Sequence, residues 1–315
     1  MESLQSQVPI IYKDDSPQLT YYSRPKSEKE GVIHWGQRKL LLSEIRFLTQ
    51  YGHLAKIVVY AGAAPSDHTP YLQSLFPEHV FILIDPRPFS IKPTNKIKII
   101  QDYFSDEMAT NLAFLKILFI SDIRTADWRA NGTAESEEDI VKDNENQMRW
   151  VNIMKPEKSM LKFRCTYANT PVGRVPTKMF KGTIDYQVYA PSSSTETRLI
   201  PDDNLAVVTY DNKVYEDILF HHNVVERIKT KYKQPIVGEG LNDSYDSAYE
   251  VLILWEFLQK FPSYQSDQQD LNKSISQMSY DMSRNISNHW TLTNRLQKLP
   301  DKPFFQAKNQ NKYRR

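Results

Sequence analysis

The chain has 315 residues, enough for one large α/β domain or two small ones. Charged residues make up 25% and the formal net charge is +2, which excludes a global polycation, so any nucleic-acid surface must be local, basic and aromatic. The single cysteine, Cys165, excludes an intramolecular disulfide and a multi-cysteine zinc site, and it fits a reducing compartment.

Residues 1–35 are polar and irregular, with Pro9, Pro17 and Pro25, and are expected to form an arm. Leu40, Leu41, Ile45, Leu48 and Tyr51 recur at helical spacing, which predicts an amphipathic helix over 37–51. A short apolar strand over 56–60 runs into the small-residue turn Ala61-Gly62-Ala63-Ala64-Pro65, and a helix follows through Tyr71 and Leu72. Residues 80–84 read as a second strand that stops at Asp85-Pro86-Arg87, and 97–100 as a third. A helix over 108–115 leads to a fourth strand over 117–120, which ends at Ser121-Asp122. The acidic stretch 125–146, with its Asn131-Gly132 turn signal, is expected to be a loop before a helix at 147–154.

Beyond Pro156 the pattern turns β-rich, with strands at 159–165, 183–189 and 205–210, then helices at 214–231 and 247–261. From Gln265 the sequence is rich in Gln, Ser, Asn and Lys and is expected to be a mobile basic tail over 265–315, leaving 36–264 as the folded domain. No apolar run approaches the roughly 18 residues of a membrane span, and the N-terminus shows no signal pattern, so a soluble intracellular protein without a membrane partner is expected.

Strands alternating with helices point to a doubly wound, mostly parallel α/β sheet flanked by helices. Such sheets bind ligands beyond the carboxyl ends of their strands, which puts Gly62, Asp85 and Asp122 on one rim. The turn is not GxGxxG, so no pyrophosphate fingerprint is present. Small residues for close approach, and an acidic strand end for ribose hydroxyls, fit a nucleoside without phosphates.

The blocks GQRKLLLSE (36–44), VVYAGAAPSDH (58–68), ILIDPR (82–87), FISDIR (119–124), LKFRC (161–165) and APSSSTETRL (190–199) stand in this order. Together they resemble the poxvirus cap-specific mRNA 2′-O-methyltransferase family, whose members also serve as the stimulatory small subunit of poly(A) polymerase. The resemblance runs from about residue 20 to 230. It implies a Rossmann-like fold, S-adenosyl-L-methionine as cofactor, and a catalytic set of Lys39, Asp122, Lys162 and Glu196. It further implies cofactor contacts at Gln37, Tyr60, Gly62, Ser66, Asp85, Arg87, Phe104 and Asp122. Ser66 stands where the family has glycine, so either the turn differs slightly or cofactor affinity is altered.

For 7-methylguanine the resemblance implies a sandwich between Tyr22 and Tyr167, with Tyr21 competing for the first place. Glu216 matches one edge-reading carboxylate, Asn169 replaces the other, and Arg164 and Ser194 complete the matched cap-side positions. Rings on both faces of a cationic base give stacking with cation–π character. The implied partners are m7G-capped mRNA and a poly(A) polymerase catalytic subunit, in a cytoplasmic, viral or virion-packaged setting.

The four residues suit the reaction. A ribose hydroxyl is a poor nucleophile while it keeps its proton, and a lysine of lowered pKa can accept that proton. Burial and a second ammonium lower a lysine's pKa, which gives Lys162 as base and Lys39 as its cationic neighbour. Strand alternation sends Lys162 to the face opposite Leu161 and Phe163. His53, His68, His221 and His222 show no metal-ligand spacing, so no metal is assigned. A non-catalytic polymerase subunit and a ribosomal-RNA 2′-O-methyltransferase are the competing expectations.

Overall fold

The computed structural model describes residues 10–22, 33–125, 128–229 and 246–286. In chain order the elements are α1 (Ile33–Tyr51), β1 (Ile57–Ala61), α2 (Thr69–Leu75), β2 (Val80–Ile84), β3 (Ile97–Ile100) and α3 (Asp106–Leu112). There follow β4 (Ile117–Ser121), α4 (Trp128–Met154), β5 (Lys158–Phe163), β6 (Thr177–Phe180), β7 (Gly182–Asp185), β8 (Thr197–Pro201) and β9 (Val207–Tyr210). Helices α5 (Asn212–His221), α6 (Ser247–Lys260) and α7 (Leu271–Ile286) complete the described chain.

The expected mostly parallel sheet is present, with strand order β3-β2-β1-β4-β5-β8-β7. β1 pairs in parallel with β2 and β4, and β4 with β5, whereas β8 and β7 add antiparallel strands at one side. Helices cover both faces of the parallel part, so IVVYA and ILFIS run apolar without alternation. A separate β6–β9 pair lies beside the main sheet. Arm residues 10–12 extend the β7 edge: Tyr12 N donates to Ile184 O at 2.8 Å and Tyr186 N to Ile10 O at 3.0 Å.

The expected loop over 125–146 belongs instead to one helix, α4, of 27 residues, and the Asn131-Gly132 pair falls inside it. Its buried side follows helical spacing at Ile140, Asp143, Asn144, Gln147, Trp150, Val151 and Met154. Three of those positions are polar, so hydrophobic periodicity does not reveal the helix. Each of the three hydrogen-bonds a neighbour of the candidate site: Asp143 accepts from Thr125, Asn144 donates to Arg164 O and Gln147 to Lys162 O.

The expected mobile tail is corrected in the same way. Residues 271–286 form α7, which buries Ile275, Met278, Met282 and Ile286 against the core despite a polar composition. Ser279 Oγ donates to Glu250 at 2.7 Å and accepts from Arg38 Nη2 at 2.6 Å. Arg38 and Glu250 are themselves buried and paired, so α7 closes a polar cluster between α1 and α6. Residues 287–315 of the expected tail, and 1–9 and 23–32 of the arm, lie outside the described residues. The helix expected over 214–231 changes to a π-turn at His222–Glu226 before its last turn at Arg227–Lys229.

Candidate active site

The rim begins with the turn after β1. Gly62 has φ +79°, and a Cβ there would lie 2.7 Å from the backbone of Asp122 and Ile123. A side chain is therefore excluded on both conformational and steric grounds. Ser66 also takes a left-handed conformation, at φ +66°, and is fully buried. Its hydroxyl donates to Ala63 O at 2.7 Å and accepts from Thr69 Oγ1 at 3.2 Å. The serine thus adopts the backbone a glycine favours, and its hydroxyl ties the turn together.

Asp85 is buried and uses both oxygens within the protein. Oδ2 accepts from Ala64 N at 3.0 Å and Arg87 Nη2 at 2.9 Å, and Oδ1 from Arg87 N and Nε. Burial opposes the Asp85 charge, yet these bonds from Arg87 and Ala64 hold its carboxyl below the usual range. A ribose hydroxyl can reach Asp85 only in place of Arg87, whose side chain is 66% exposed. Tyr60 is buried at the end of β1, where burial and the Glu44 and Asp122 charges hold its hydroxyl neutral. Gln37 of α1 meets His68, which precedes α2, while Phe104 is a core ring packed on Phe119 and Trp150. The glycine cradle, the tied turn and the buried acid fit a nucleoside cofactor.

Lys39, Asp122, Lys162 and Glu196 come together beside this rim. Ser121 is in register with Leu161, so the next residues along, Asp122 and Lys162, meet at 3.2 Å. Lys162 Nζ is also 3.4 Å from Glu196, and Lys39 Nζ approaches Glu196 from α1 at 3.2 Å. Sequence reasoning did not select Arg198, which stands directly opposite Lys162 on β8. Its guanidinium reaches Asp122 at 2.6 Å and Glu196 at 3.5 Å. Arg124 lies nearby, 3.6 Å from Asp143.

Cations outnumber carboxylates in this cluster, and the charges follow from that. Burial pushes the Lys162 ammonium below its ordinary value; Asp122 and Glu196 pull it back up, while Arg124 and Arg198 push it down. Burial alone would raise Glu196, but Lys162, Lys39, Arg198 and Arg124 hold it well below the carboxylate range. The arrangement is a buried lysine able to release its proton between two carboxylates, one of them strongly held in its ionised form.

A second group of residues gathers around the loop that follows β5. Tyr21 faces Tyr167, with ring centroids 5.2 Å apart and planes at 26°. Tyr22 is 53% exposed. Tyr21 is held by Asp217, which accepts its backbone N–H at 2.6 Å, and by its hydroxyl on Ser193 O at 3.0 Å. Arg164 lies 4.7 Å over the Tyr167 ring and forms a bidentate pair with Glu137, which also accepts from Tyr167 N. Glu216 accepts from Ala168 N at 3.1 Å and Lys213 Nζ at 3.2 Å, and burial raises its carboxyl above the ordinary range. Asn169 is exposed on the same loop. Ser194 O accepts from Asn223, which the π-turn presents, and Ser194 Oγ from Glu196 N.

Comparison with known proteins decides what kind of chain this is. A family model described as poly A polymerase regulatory subunit matches residues 5–282. The chain belongs to that family. The match extends past the expected span of 20–230 at both ends and takes in most of α7. A Myxoma virus (strain Lausanne) protein named cap-specific mRNA (nucleoside-2′-O-)-methyltransferase is 27% identical, over 72% of this chain and 72% of its own. A Fowlpox virus (strain NVSL) protein of the same name is 30% identical, over 73% of this chain and 78% of its own.

Membership does not by itself reveal Arg198, Glu137 or Asp217, and only the first had a signal in the sequence. Arg198 lies two residues beyond Glu196 in a quoted block, where strand alternation returns it to the same face. Glu137 and Asp217 show no such signal, because their partners are Arg164 and a backbone N–H far away in sequence. Among the described residues, no His/Cys/Asp/Glu group could hold a metal and no helix is long and apolar enough to cross a membrane.

Proposed function

We propose that this chain transfers a methyl group to the ribose 2′-OH of the first transcribed nucleotide of m7G-capped RNA, with S-adenosyl-L-methionine as donor. The observation that carries the proposal is the buried Lys162, lowered in pKa and held between Asp122 and Glu196 on the rim of the sheet. Bound beside Gly62 and Asp122, the cofactor would supply the methyl on its sulfonium. Lys162, once neutral, accepts the proton of the 2′-OH as the oxygen attacks. Asp122 and Glu196 orient the amine, Lys39 holds Glu196, and Arg198 keeps the lysine's proton weakly bound.

On the cap side, Tyr21 and Tyr167 supply the two ring faces, and Glu216 the carboxylate for the cationic base. A base between two rings needs about 7 Å, twice a ~3.5 Å contact, so Tyr21 moves away from Tyr167 on binding. The testing experiment is methyl transfer to m7G-capped RNA at saturating cofactor by wild type and Lys162→Ala. Product from wild type alone supports the reading, whereas equal rates remove Lys162 from it.

The family's description favours a second role, as a partner of a poly(A) polymerase catalytic subunit. Stimulated adenylate addition by the paired polymerase, measured with wild type and Lys162→Ala alike, would show that role to be separate from methyl transfer. Stimulation without any methyl product from wild type would leave the partner role alone standing.

A further inference from the structure

The loop between β5 and β6 carries Tyr167, one of the two proposed ring faces, and Ala168, whose N–H donates to Glu216. A single buried side chain outside that loop gathers both of its ends. Asn212 is the first residue of α5, and it lies one helical turn before Glu216 on the same side of the helix. Its Oδ1 accepts from Thr177 N at 3.1 Å and from Thr177 Oγ1 at 2.7 Å. Its Nδ2 donates to Gly173 O and Val175 O, each at 2.8 Å, and to Thr166 Oγ1 at 3.1 Å. A backbone N–H can only donate and a carbonyl only accept, so these partners fix which end of the amide is oxygen. Two of the tied residues adjoin Tyr167. Thr166 precedes it, and Gly173 faces Tyr167 O so closely that a Cβ there would collide with it. Thr170 Oγ1 links the same two residues, donating to Tyr167 O at 2.7 Å and accepting from Gly173 N at 3.1 Å.

We infer that Asn212 is a positioning residue for cap recognition, which sets the Tyr167 ring at the separation from Glu216 that a methylated guanine spans. The inference rests on the proposed reading of Tyr167 and Glu216 as cap contacts. A purine is rigid, so a face on Tyr167 and an edge on Glu216 are satisfied together at one separation only. Glu216 moves with α5, whereas Tyr167 belongs to the loop. Asn212 joins the two, because it is rooted on α5 and holds the loop on either side of Tyr167. In the proposed slot Tyr21 is the ring that moves, so Tyr167 has to be the fixed one. With the Asn212 tie cut, Ala168 N remains attached to Glu216 while the ring can swing off the base. Preference for the methylated base goes with it, since a cationic ring gains more from an aromatic face than a neutral guanine does.

Asn212→Asp is the sharpest test. It keeps the shape, the acceptor for Thr177 and a residue suited to the first turn of α5, but it offers at most one proton to two carbonyls. Calorimetric binding of m7GTP, GTP and S-adenosylmethionine to wild type, Asn212→Asp, Tyr167→Ala and the double variant reads the effect. We expect Asn212→Asp to weaken m7GTP about tenfold, the size of a lost stacking face, to lower the preference for m7GTP over GTP by a similar factor, and to leave S-adenosylmethionine unchanged. The double variant should bind m7GTP no worse than Tyr167→Ala. Unchanged m7GTP affinity, equal weakening of m7GTP and GTP, or additive losses in the double variant overturns the inference and leaves Asn212 a packing residue. Wild-type m7GTP affinity in Tyr167→Ala overturns the reading beneath it, an outcome distinguishable because Asn212 is intact there. If Asn212→Asp does not fold, Thr177→Val serves in its place. It removes the hydroxyl that donates to Asn212 and accepts from Thr166 N, and it should shift m7GTP in the same direction by a smaller factor.

Discussion

The set around Lys162 and the ring pair of Tyr21 and Tyr167 are built differently. Lys162 and Arg198 are placed by register, on adjacent strands of the sheet, with Asp122 one residue past β4. The ring pair is placed by loops and an arm, each tied by single side-chain bonds to α4 or α5, through Glu137, Glu216 and Asp217. A proton-transfer site needs fixed distances, which a sheet supplies. A slot that opens by about 2 Å to admit a base, as proposed for the two rings, needs parts that can separate.

The largest expected effect is on the register-built side. Lys162→Ala should lower methyl transfer by roughly 10²–10⁴-fold while cap-analogue binding stays near wild type. Loss of cap binding in that variant would mean that the two sides are not separately built. Next comes pH. Because the folded-state pKa of Lys162 is lowered, its neutral form gains population at lower pH than an ordinary lysine, so the rate should rise with pH and level off early. Arg198→Ala removes one of the charges that push Lys162 down, and the rising limb should move to higher pH. A profile unmoved by this variant would show that Arg198 does not tune the base.

On the loop-built side, Tyr21→Ala should weaken cap-analogue binding about tenfold, in line with a lost stacking face, and Tyr22→Ala much less. The reverse order by fluorescence titration would restore Tyr22 to the slot. The smallest effect belongs to the turn. Ser66→Gly relieves a left-handed backbone but loses two hydroxyl bonds and adds chain entropy, so stability should change by less than about 1 kcal/mol. Ser66→Val keeps the strain without the hydroxyl, and thermal unfolding should show it clearly destabilised.

The sequence made the parallel half of the fold legible because its strands are short apolar runs that end in Gly62, Asp85 and Asp122. It hid α4 and α7, whose buried faces carry Asp143, Asn144 and Gln147 in one case and Ser274, Ser276 and Ser279 in the other. Polar side chains that go inside to satisfy other polar groups leave no hydrophobic period to read. Asp122 was legible from its strand end, whereas Lys39 and Glu196 required the family resemblance. The ring opposite Tyr167 was left between Tyr21 and Tyr22, since adjacent residues on an irregular arm have no periodicity to separate them.

Three consecutive residues of α1 face three different partners: Gln37 the ring of His68, Arg38 the Glu250–Ser279 cluster and Lys39 the carboxylate of Glu196. Separating the buried Arg38–Glu250 pair costs about 3–5 kcal/mol, so this stretch of helix cannot rotate independently of α6 and α7. A stop codon ahead of Ser279 would strip a hydroxyl from that cluster and be felt one peptide bond away, at Lys39. Tags or fusions placed close behind Ile286 should therefore be judged by turnover as well as by yield.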